Sequence, residues 1–389
     1  MQYLFWVPLF LLMYIYFLYP LIVSILSKKG AEIGDKPNAI DEVPTITIVV
    51  PAHNEERVLE EKILNHLKIK YDNSKFIIHI LCDSCTDGTV DIADKYTKLY
   101  PGMVAYTAVL GGLGKTNAIN TLMPKLTSDL IVFSDANVML EENCLNHIVD
   151  TLSDSKVGGV AGQLTYVNES IGGAAESNGL YWRYEEYLKE KESDTGSLMG
   201  ADGSIFAIKR ELYRELPIHV LDDFSTSMGV IAQGFKLKFN TNIKAYEKGA
   251  EKNSEEYSRK IRISNRSYNS YRFMKAELKS KLGLFDLWKF YSHKVLRWYS
   301  FVFMMVLMCA SIYLAFTSIF YSAMLAGQGL FYFLIFLHWK NIIPGSSKIF
   351  KISNICYYFF MVNYAAWIGV FQSLTGVKTI VWKKAETTR

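Results

Sequence analysis

Cysteines are few in this chain and follow no pairing pattern. The 389 residues contain five, at positions 82, 85, 144, 309 and 356. Such a scatter excludes a small disulfide-stapled fold and is typical of a protein whose soluble part stays in a reducing compartment. Cys82 and Cys85 form one C-x-x-C without a second pair, so a structural zinc site is not predicted. Internal repeats and low-complexity segments are also absent from the sequence.

The net charge is small as well, at +4, but the charges are distributed unevenly. Between Glu251 and Arg297 there are twelve Lys or Arg and five Asp or Glu, so the rest of the chain is slightly acidic. A basic segment just before a hydrophobic block favours contact with a membrane surface, with phosphates, or with both. No nucleic-acid-binding module accompanies it, so nucleic acid is not predicted as a partner.

Charged side chains are missing from residues 3–26, a stretch long enough to cross a bilayer as a helix. A secretory signal would carry its positive charge before the apolar run, whereas Lys28 and Lys29 follow it here. By the positive-inside rule, the N-terminus lies outside and the next domain in the cytoplasm. We therefore predict a transmembrane helix over residues 1–27 and a polar linker over residues 28–43.

A second hydrophobic block occupies residues 299–375, which we predict to be transmembrane helices. Residues 299–339 suit a helical hairpin and residues 356–374 a further span. The preceding residues 276–298 are predicted to be a basic amphipathic segment at the membrane interface, and residues 376–389 a basic tail. The lysines of the tail prefer the cytoplasmic side, yet three spans after a cytoplasmic domain would place it outside. The sequence leaves this conflict open.

Between these blocks, residues 44–275 alternate short apolar strands with amphipathic helices. Apolar or β-branched runs at 45–50, 76–82, 104–109 and 130–133 are each followed by a polar turn and a helical pattern. Four such repeats predict an α/β fold with a mostly parallel sheet. In sheets of this kind, ligands bind beyond the carboxyl ends of the strands.

The turns that follow these strands carry polar side chains. In chain order, they are Asn54, Glu55, Asp83, Lys115, Asp135 and Asn137. Because the carboxyl ends of parallel strands meet at one edge, these side chains are expected to line one crevice. Carboxylate and amide oxygens suit Mg²⁺ or Mn²⁺, and phosphates would complete the coordination shell. The glycine loop at 111–116 is not a phosphate loop, since Val109 replaces a required glycine, but its lysine and helix N-terminus still favour anions.

Six motifs, in this order, resemble those of the family 2 glycosyltransferases. They are Pro51-Ala-His-Asn-Glu55, Asp83-Ser-Cys-Thr-Asp-Gly-Thr89, Gly114-Lys115, Asp135-Ala-Asn137, Gly200-Ala-Asp-Gly203 and Asp222-Asp223. The resemblance covers residues 44–275, and residues 292–298 are similar to the membrane-entry segment of bacterial members that make surface polysaccharides. It implies the GT-A fold, a nucleotide-binding α/β domain, and inverting transfer of a sugar from a nucleotide sugar.

The resemblance also implies which residues bind the donor. These would be Ala52, Asn54, Glu55, Asp83, Lys115, Asp135 and Arg262. Asp83 would accept a hydrogen bond from a uracil-type base. Asp135 would hold a divalent metal, Mg²⁺ or Mn²⁺, that bridges the diphosphate, and Asn137 stands where the family more often has a second metal-binding Asp.

The acceptor side follows from the same resemblance. Gly200, Asp202 and Arg266 would contact the acceptor, and Asp223 would be the catalytic base that deprotonates its hydroxyl. Its neighbour Asp222 would raise the pKa of that base by like-charge repulsion. Either aspartate also suits the N-terminus of the helix that follows.

Residues 259–263 bear on product length. Processive relatives carry Gln-x-x-Arg-Trp there, and this chain keeps Arg262 but has Ile263 in place of the Trp that supports the acceptor. We therefore predict a non-processive, membrane-anchored glycosyltransferase with a cytoplasmic catalytic domain. Its donor would be UDP-linked, and its acceptor a lipid-linked or membrane-proximal glycan. The alternatives are a processive polysaccharide synthase, a non-catalytic membrane scaffold that keeps the fold, and a transporter, which the scarcity of charges in the spans disfavours.

Overall fold

The computed structural model of the chain describes residues 1–27, 42–168, 174–344 and 347–380. Within them lie an α/β domain and long apolar helices at both ends of the chain. Most of the predicted linker (28–43) and of the predicted basic tail (376–389) falls outside the described residues.

The strands form one eight-stranded sheet in the order β3-β2-β1-β4-β7-β6-β8-β5. Their bounds are β1 Ile46–Ala52, β2 Phe76–Asp83, β3 Val104–Val109, β4 Leu130–Phe133, β5 Met139–Leu140, β6 Val157–Tyr166, β7 Phe206–Lys209 and β8 Lys236–Glu247. Every residue of β1 is buried, as its position between β2 and β4 requires.

The sheet is mixed. Strands β3, β2, β1 and β4 are parallel neighbours, which confirms the α/β prediction for this half. Strand β7 then runs antiparallel to both β4 and β6, and β5 runs antiparallel to β8. Strand β8, which has no counterpart among the four runs identified in the sequence, lies between β6 and β5.

The helices, numbered along the chain, include those that pack on the two faces of the sheet and the long apolar ones near the chain ends. They are α1 Gln2–Leu26, α2 Leu59–His66, α3 Thr89–Leu99, α4 Lys115–Leu122, α5 Cys144–Leu152, α6 Ala174–Asp194, α7 Asp222–Ala232, α8 Asn253–Lys281, α9 Leu284–Trp298, α10 Ser300–Leu314, α11 Ile319–Trp339 and α12 Lys348–Leu374. Alternate residues of β1 point to opposite faces, so Ile48 packs with α2 and α3 while Val49 packs with α4 and α7.

Three helices, α1, α11 and α12, are long and apolar enough to cross a membrane, and the pair α9 and α10, bent by 62°, passes the same test together. Helix α1 runs antiparallel to α10. The ring of Phe5 lies 4.9 Å from that of Tyr321, just after the turn that follows α10, and the Tyr16 hydroxyl donates to Ser300 Oγ, at the start of α10, over 3.2 Å. The predicted hairpin over 299–339 corresponds to α10 and α11.

Helix α12 lies along α8 of the α/β domain. Tyr358 donates to Glu256 Oε1 over 3.4 Å near one end, and Ser373 donates to Asn269 Oδ1 over 2.6 Å near the other. Gly369 permits this close packing, because a Cβ there would lie 2.5 Å from the carbonyl oxygen of Ile261. This long contact brings the C-terminal end of α12 next to the α/β domain.

Candidate active site

Lys115, the first residue of α4, joins the acids that follow β4 and open α7. Its Nζ lies 2.8 Å from Asp135 Oδ1 and 3.0 Å from Asp222 Oδ2. Burial opposes its charge, but Asp135, Asp222 and Asp223 together hold the pKa of Lys115 above its usual value. The lysine therefore stays cationic and joins two acidic motifs that lie 87 residues apart in the sequence, at Asp135 and at Asp222, into one site.

The two aspartates at the start of α7 differ in environment. Asp222 is 4% exposed, and although burial opposes its ionisation, Lys115 and Arg266 hold its pKa below the usual value. Asp223 is more open to the cavity described below, and burial together with the charge of Asp222 raises its pKa to about 7. The predicted effect of the neighbouring acid is therefore present, second to burial. A carboxyl group that titrates near neutral pH is suited to act as a general base.

Asp135 lies at the carboxyl end of β4 with 30% of its side chain exposed. A Cβ at position 203 would lie 2.9 Å from Asp135 Oδ2, so the glycine there leaves that oxygen accessible. Asn137 donates through Nδ2 to Glu247 Oε1 over 2.8 Å, which leaves its own amide oxygen as a potential ligand. These hard oxygen donors fit Mg²⁺ or Mn²⁺. Among the described residues no group of three His, Cys, Asp or Glu is preassembled for a metal, so phosphate oxygens and water would have to complete the shell.

The ends of β1 and β2 form a second polar region beside this one. Asn54 and Ser84 have φ values of 56° and 47°, an uncommon conformation for residues other than glycine, and such strain is often found at binding sites. Asn54 Oδ1 accepts from the backbone N–H of Thr86 over 2.6 Å and so fixes the two loops together. Asp83 is buried, its pKa is raised by burial, and its Oδ1 has no hydrogen-bond partner within the described ranges. An exposed loop backbone beside a buried acceptor is suited to a ligand that carries N–H groups.

The remaining predicted residues of these two strands, Ala52 and Glu55, are buried at 0% and 1% exposure. The backbone N–H of Glu55 donates to Thr89 Oγ1 over 2.7 Å and so links the loop to the start of α3. Both side chains are therefore buried inside the loop. Of the three predicted residues in it, Asn54 is the one whose side chain is partly exposed.

Three arginines of α8 follow one another at the site, with different partners. Arg259 lies 3.5 Å from Glu256 Oε2 and donates to Tyr166. Arg266 is 2% exposed and donates to Thr116 Oγ1 over 2.6 Å and to the carbonyl of Val220. These contacts show that Arg266 fixes the loop before α7, so its predicted acceptor contact would be additional to a structural role.

Arg262 differs from its two neighbours. Its Nε is buried and has no hydrogen-bond partner in the part of the chain that the structure describes. Burial and the charges of Arg266 and Arg259 lower its pKa to about 10. A largely buried guanidinium without a local partner favours an anionic ligand, and its planar fork matches phosphate oxygens.

The predicted acceptor residues Gly200 and Asp202 lie on the loop before β7. Gly200 has φ of +99°, and a Cβ there would lie 2.7 Å from the ring of Phe224, so only glycine suits this position. Asp202 accepts from the Lys189 ammonium and from the backbone N–H of Ser204 over 3.1 Å. Burial opposes its charge, but Lys189 holds the pKa of Asp202 below its usual value. Asp202 is thus already engaged in an ion pair within the protein.

A cavity of about 1170 Å³ brings most of these groups together. The predicted site residues that line it are Lys115, Asp135, Asn137, Gly200, Asp202, Asp222, Asp223, Arg262 and Arg266. The loop residues Ala52, Asn54, Glu55 and Asp83 are not among its lining residues. The structure therefore separates the predicted set into a cavity that holds the acids and cations, and a polar loop region at the ends of β1 and β2.

Two residues of this region were missed in the sequence. Glu247, the last residue of β8, meets Asn137, and Lys62 of α2 is fully buried under the same loop, where it donates to Ser134 Oγ over 2.7 Å and to the carbonyl of Val138. Burial lowers the pKa of Lys62 to about 7. Neither residue belongs to a local motif. The position of Lys62 on the apolar face of α2, beside Leu59 and Ile63, is the feature of the sequence that could have indicated a buried lysine.

Comparison with known proteins agrees with this geometry. Residues 47–217 match glycosyl transferase family 2. A probable glycosyltransferase, YdaM of Bacillus subtilis (strain 168), is 28% identical over 130 residues, which cover 33% of this chain and 31% of that protein. Beta-monoglucosyldiacylglycerol synthase of Nostoc sp. (strain PCC 7120) is 29% identical over 136 residues, which cover 35% of this chain and 28% of that protein. The matched segment thus spans less than a third of either relative.

The likeness in structure extends further along the chain. The mannosyltransferase PcManGT of Pyrobaculum calidifontis, solved in complex with GDP-Man and Mn²⁺, superposes with a TM-score of 0.72 at 20% sequence identity, covering 95% of this chain and 99% of that one. The shared fold therefore includes the apolar helices as well as the α/β domain. The family match over residues 47–217, the named relatives and this fold support a family 2 glycosyltransferase domain with the GT-A fold, and helices at both ends of the described chain are apolar enough to span a membrane.

Proposed function

We propose that this protein is a membrane-anchored, inverting glycosyltransferase that moves a sugar from a UDP-linked donor to a lipid-linked or membrane-proximal acceptor. One cavity carries the proposal. In it Lys115 bridges Asp135 and Asp222, and Asp223 and Arg262 line the same cavity. The Nε of Arg262 has no hydrogen-bond partner among the described groups. A non-catalytic scaffold would have no need for a carboxyl group that titrates near neutral pH in such a cavity.

The donor would bind at the polar loops that follow β1 and β2, beside Asn54 and Asp83, and extend towards Asp135. Asp83 Oδ1, a buried acceptor without a partner in the described part of the chain, would receive an N–H of the base. Arg262 would contact the diphosphate. Asp135 and Asn137 would hold the divalent metal, which stabilises the charge of the departing diphosphate when it is bound. PcManGT, a neighbour in fold, was solved with Mn²⁺ and a nucleotide sugar, which supports this assignment.

The reaction then needs one base. Asp223 would remove the proton from the acceptor hydroxyl while that oxygen forms a bond to the anomeric carbon. The bond from the anomeric carbon to the diphosphate oxygen breaks on the opposite face, and the nucleoside diphosphate leaves with the electron pair. Lys115 keeps Asp222 ionised beside the base, and burial keeps the pKa of Asp223 near 7. Attack opposite the leaving group inverts the anomeric centre.

Contacts between the apolar helices support a membrane topology. The Phe5 end of α1 meets the start of α11, whereas its Tyr16 end meets the start of α10 and Asn363 of α12. Because α12 runs along α8, we infer that α1, α10 and α11 cross the membrane and that α12 lies at the cytoplasmic surface beside the catalytic domain. The C-terminal end then lies on the same side as the catalytic domain, which removes the charge conflict noted in the sequence.

A transfer assay tests the proposed function. Purified protein would be incubated with Mn²⁺, a lipid extract and radiolabelled UDP-glucose, UDP-N-acetylglucosamine or GDP-mannose, and the organic phase would be resolved by product size. Label in a lipid product with the wild type, and none with Asp223→Asn, supports the proposal. Addition of one or very few sugars is expected, since Ile263 offers no aromatic ring to stack against a growing chain. Long polymers would favour a processive synthase, and no labelled product with any donor would contradict the proposal.

A further inference from the structure

The cavity extends beyond the catalytic groups into the apolar helices. Leu9 of α1, Met304 of α10, Phe331 of α11 and Phe359 of α12 line it, together with the acids of the site. Its volume of about 1170 Å³ exceeds the roughly 300–1,000 Å³ of a typical ligand site. A polar donor would leave the apolar part unfilled. That part has the chemistry of a hydrocarbon chain, and it lies where α1, α10 and α11 are apolar enough to face lipid.

Cations from three helices, Lys189, Lys260 and Arg297, also line the cavity. Lys189 of α6 pairs with Asp202 on the catalytic side, and Lys260 of α8 lies 3.3 Å from Glu256 Oε1. Arg297, just before the start of α10, lies 2.5 Å from Glu185 Oε1 and 5.7 Å from the centre of the Tyr16 ring. Each of these three side chains has a carboxylate partner within the protein, which limits what it has to offer a ligand.

Lys294 differs from these three cations. It lies one turn before Arg297, in the π-helical turn Tyr291–Val295, and lines the cavity. Within the described ranges, no carboxylate oxygen lies within 4.0 Å of its Nζ, and its hydrogen-bond-range contact is His293 Nε2 at 3.5 Å. Single turns of π-helix inside α-helices are frequent at functional sites.

His293 does not satisfy Lys294. Its Nδ1 lies 2.7 Å from Glu192 Oε1 and its Nε2 lies 3.2 Å from Glu185 Oε2. Nε2 is therefore shared between Glu185 and Lys294, and a contact with it would use only one of the three donors of the ammonium. Tyr19 donates to the same Glu192 oxygen over 2.5 Å and fixes this turn against α1. The network therefore holds Lys294 in place at the cavity wall and leaves its own donors for a ligand.

We propose that the cavity binds a lipid acceptor that carries a phosphate, with its hydrocarbon chain between the apolar helices and its phosphate on Lys294. This inference rests on the proposed glycosyltransferase function and names the chemical class of its acceptor. An ammonium is a compact cation with three donors and suits a phosphate oxygen, whereas a neutral lipid such as a diacylglycerol would leave it without a partner. The hydroxyl that receives the sugar would lie beyond the phosphate, towards Asp223.

Lipid binding by the purified full-length chain tests the proposal. Native mass spectrometry would titrate the protein in detergent with dioleoylphosphatidylglycerol or dioleoylglycerol, which share their acyl chains and differ in the anionic phosphoglycerol group of the former. The wild type is expected to bind the phospholipid more tightly. Lys294→Gln should weaken that binding roughly tenfold or more, because a charge-assisted hydrogen bond is lost, and should leave dioleoylglycerol binding unchanged. Lys294→Arg should retain most of the preference.

Lys340→Gln is the matched control, since Lys340 is an exposed cation at the end of α11, outside the cavity lining. Equal binding of the two lipids by the wild type, or an equal loss in Lys340→Gln and Lys294→Gln, would overturn the proposal in favour of general attraction to anionic lipid. Binding of UDP with Mn²⁺ is measured on the same samples and should be retained in Lys294→Gln. Failure of the wild type to bind UDP would contradict the proposed function instead, whatever the lipid result.

Discussion

Replacement of Asp223 by Asn tests the assignment of the base through the pH dependence of the rate. The pKa of Asp223 is raised to about 7 by burial and by Asp222, so the ionised form that accepts a proton is lost as the pH falls through 7. With that value, about one tenth of the free enzyme is ionised at pH 6 and about nine tenths at pH 8. The value of kcat/KM, which reports the free enzyme, should therefore rise roughly tenfold between pH 6 and pH 8.

In Asp223→Asn this rise should disappear, and the rate at pH 8 should fall by roughly 10²–10⁴-fold, the usual contribution of a positioned general base. Donor binding should remain, since the base acts on the acceptor. The assay is initial-rate transfer from radiolabelled donor across a pH series, with Asp150→Asn, an exposed acid on α5, as the control. A tenfold rise with pH that persists in Asp223→Asn would refute the assignment, and loss of activity in Asp222→Asn alone would show that the pair is reversed.

Three further changes test other parts of the account. Arg262→Ala should weaken use of the donor roughly ten- to a hundredfold in KM or kcat/KM, because a charge-assisted contact of about 1.5–3 kcal/mol is lost; an unchanged kinetic profile would exclude it from the diphosphate site. Gly369→Ala should lower the free energy of unfolding by about 1–3 kcal/mol, because α12 would be overpacked against α8. Gly229→Ala, where a Cβ would meet nothing within 4 Å, should not destabilise the protein. A reporter fused after residue 389 should score cytoplasmic, like one inserted in the catalytic domain, and a periplasmic score would contradict the topology that we infer.

The part of the fold that was predictable from the sequence is the part with local signals. Strands β1 to β4 are short apolar runs with polar turns after them, and all four lie side by side as parallel neighbours. The second half of the sheet was less accessible. Strand β5 has only two residues. Strand β8 is half polar because many of its side chains are only partly buried, so neither strand has a strong apolar pattern in the sequence. Their pairing depends on contacts between distant segments, which no window of sequence contains.

The candidate site shows the same division. The motif residues Asp135, Asp222 and Asp223 meet as expected because each stands at the edge of an element whose position the fold determines. Glu247 and Lys62 were missed, since each reaches the loop that follows β4 from an element that carries no motif. The composition of α12 satisfies a membrane span, as predicted, but its contacts with α8 were not predictable because they join segments about 100 residues apart in the chain.

Calorimetric titration of the purified protein with UDP in the presence and absence of Mn²⁺ tests the central claim most directly. The wild type should bind UDP, and binding should require the metal, because the two proposed ligands Asp135 and Asn137 would hold the ion only together with the diphosphate oxygens. Asp135→Ala should abolish the metal-dependent part and retain the fold, as judged by thermal unfolding. Metal-dependent UDP binding of equal affinity in Asp135→Ala and the wild type would contradict the assignment of this site.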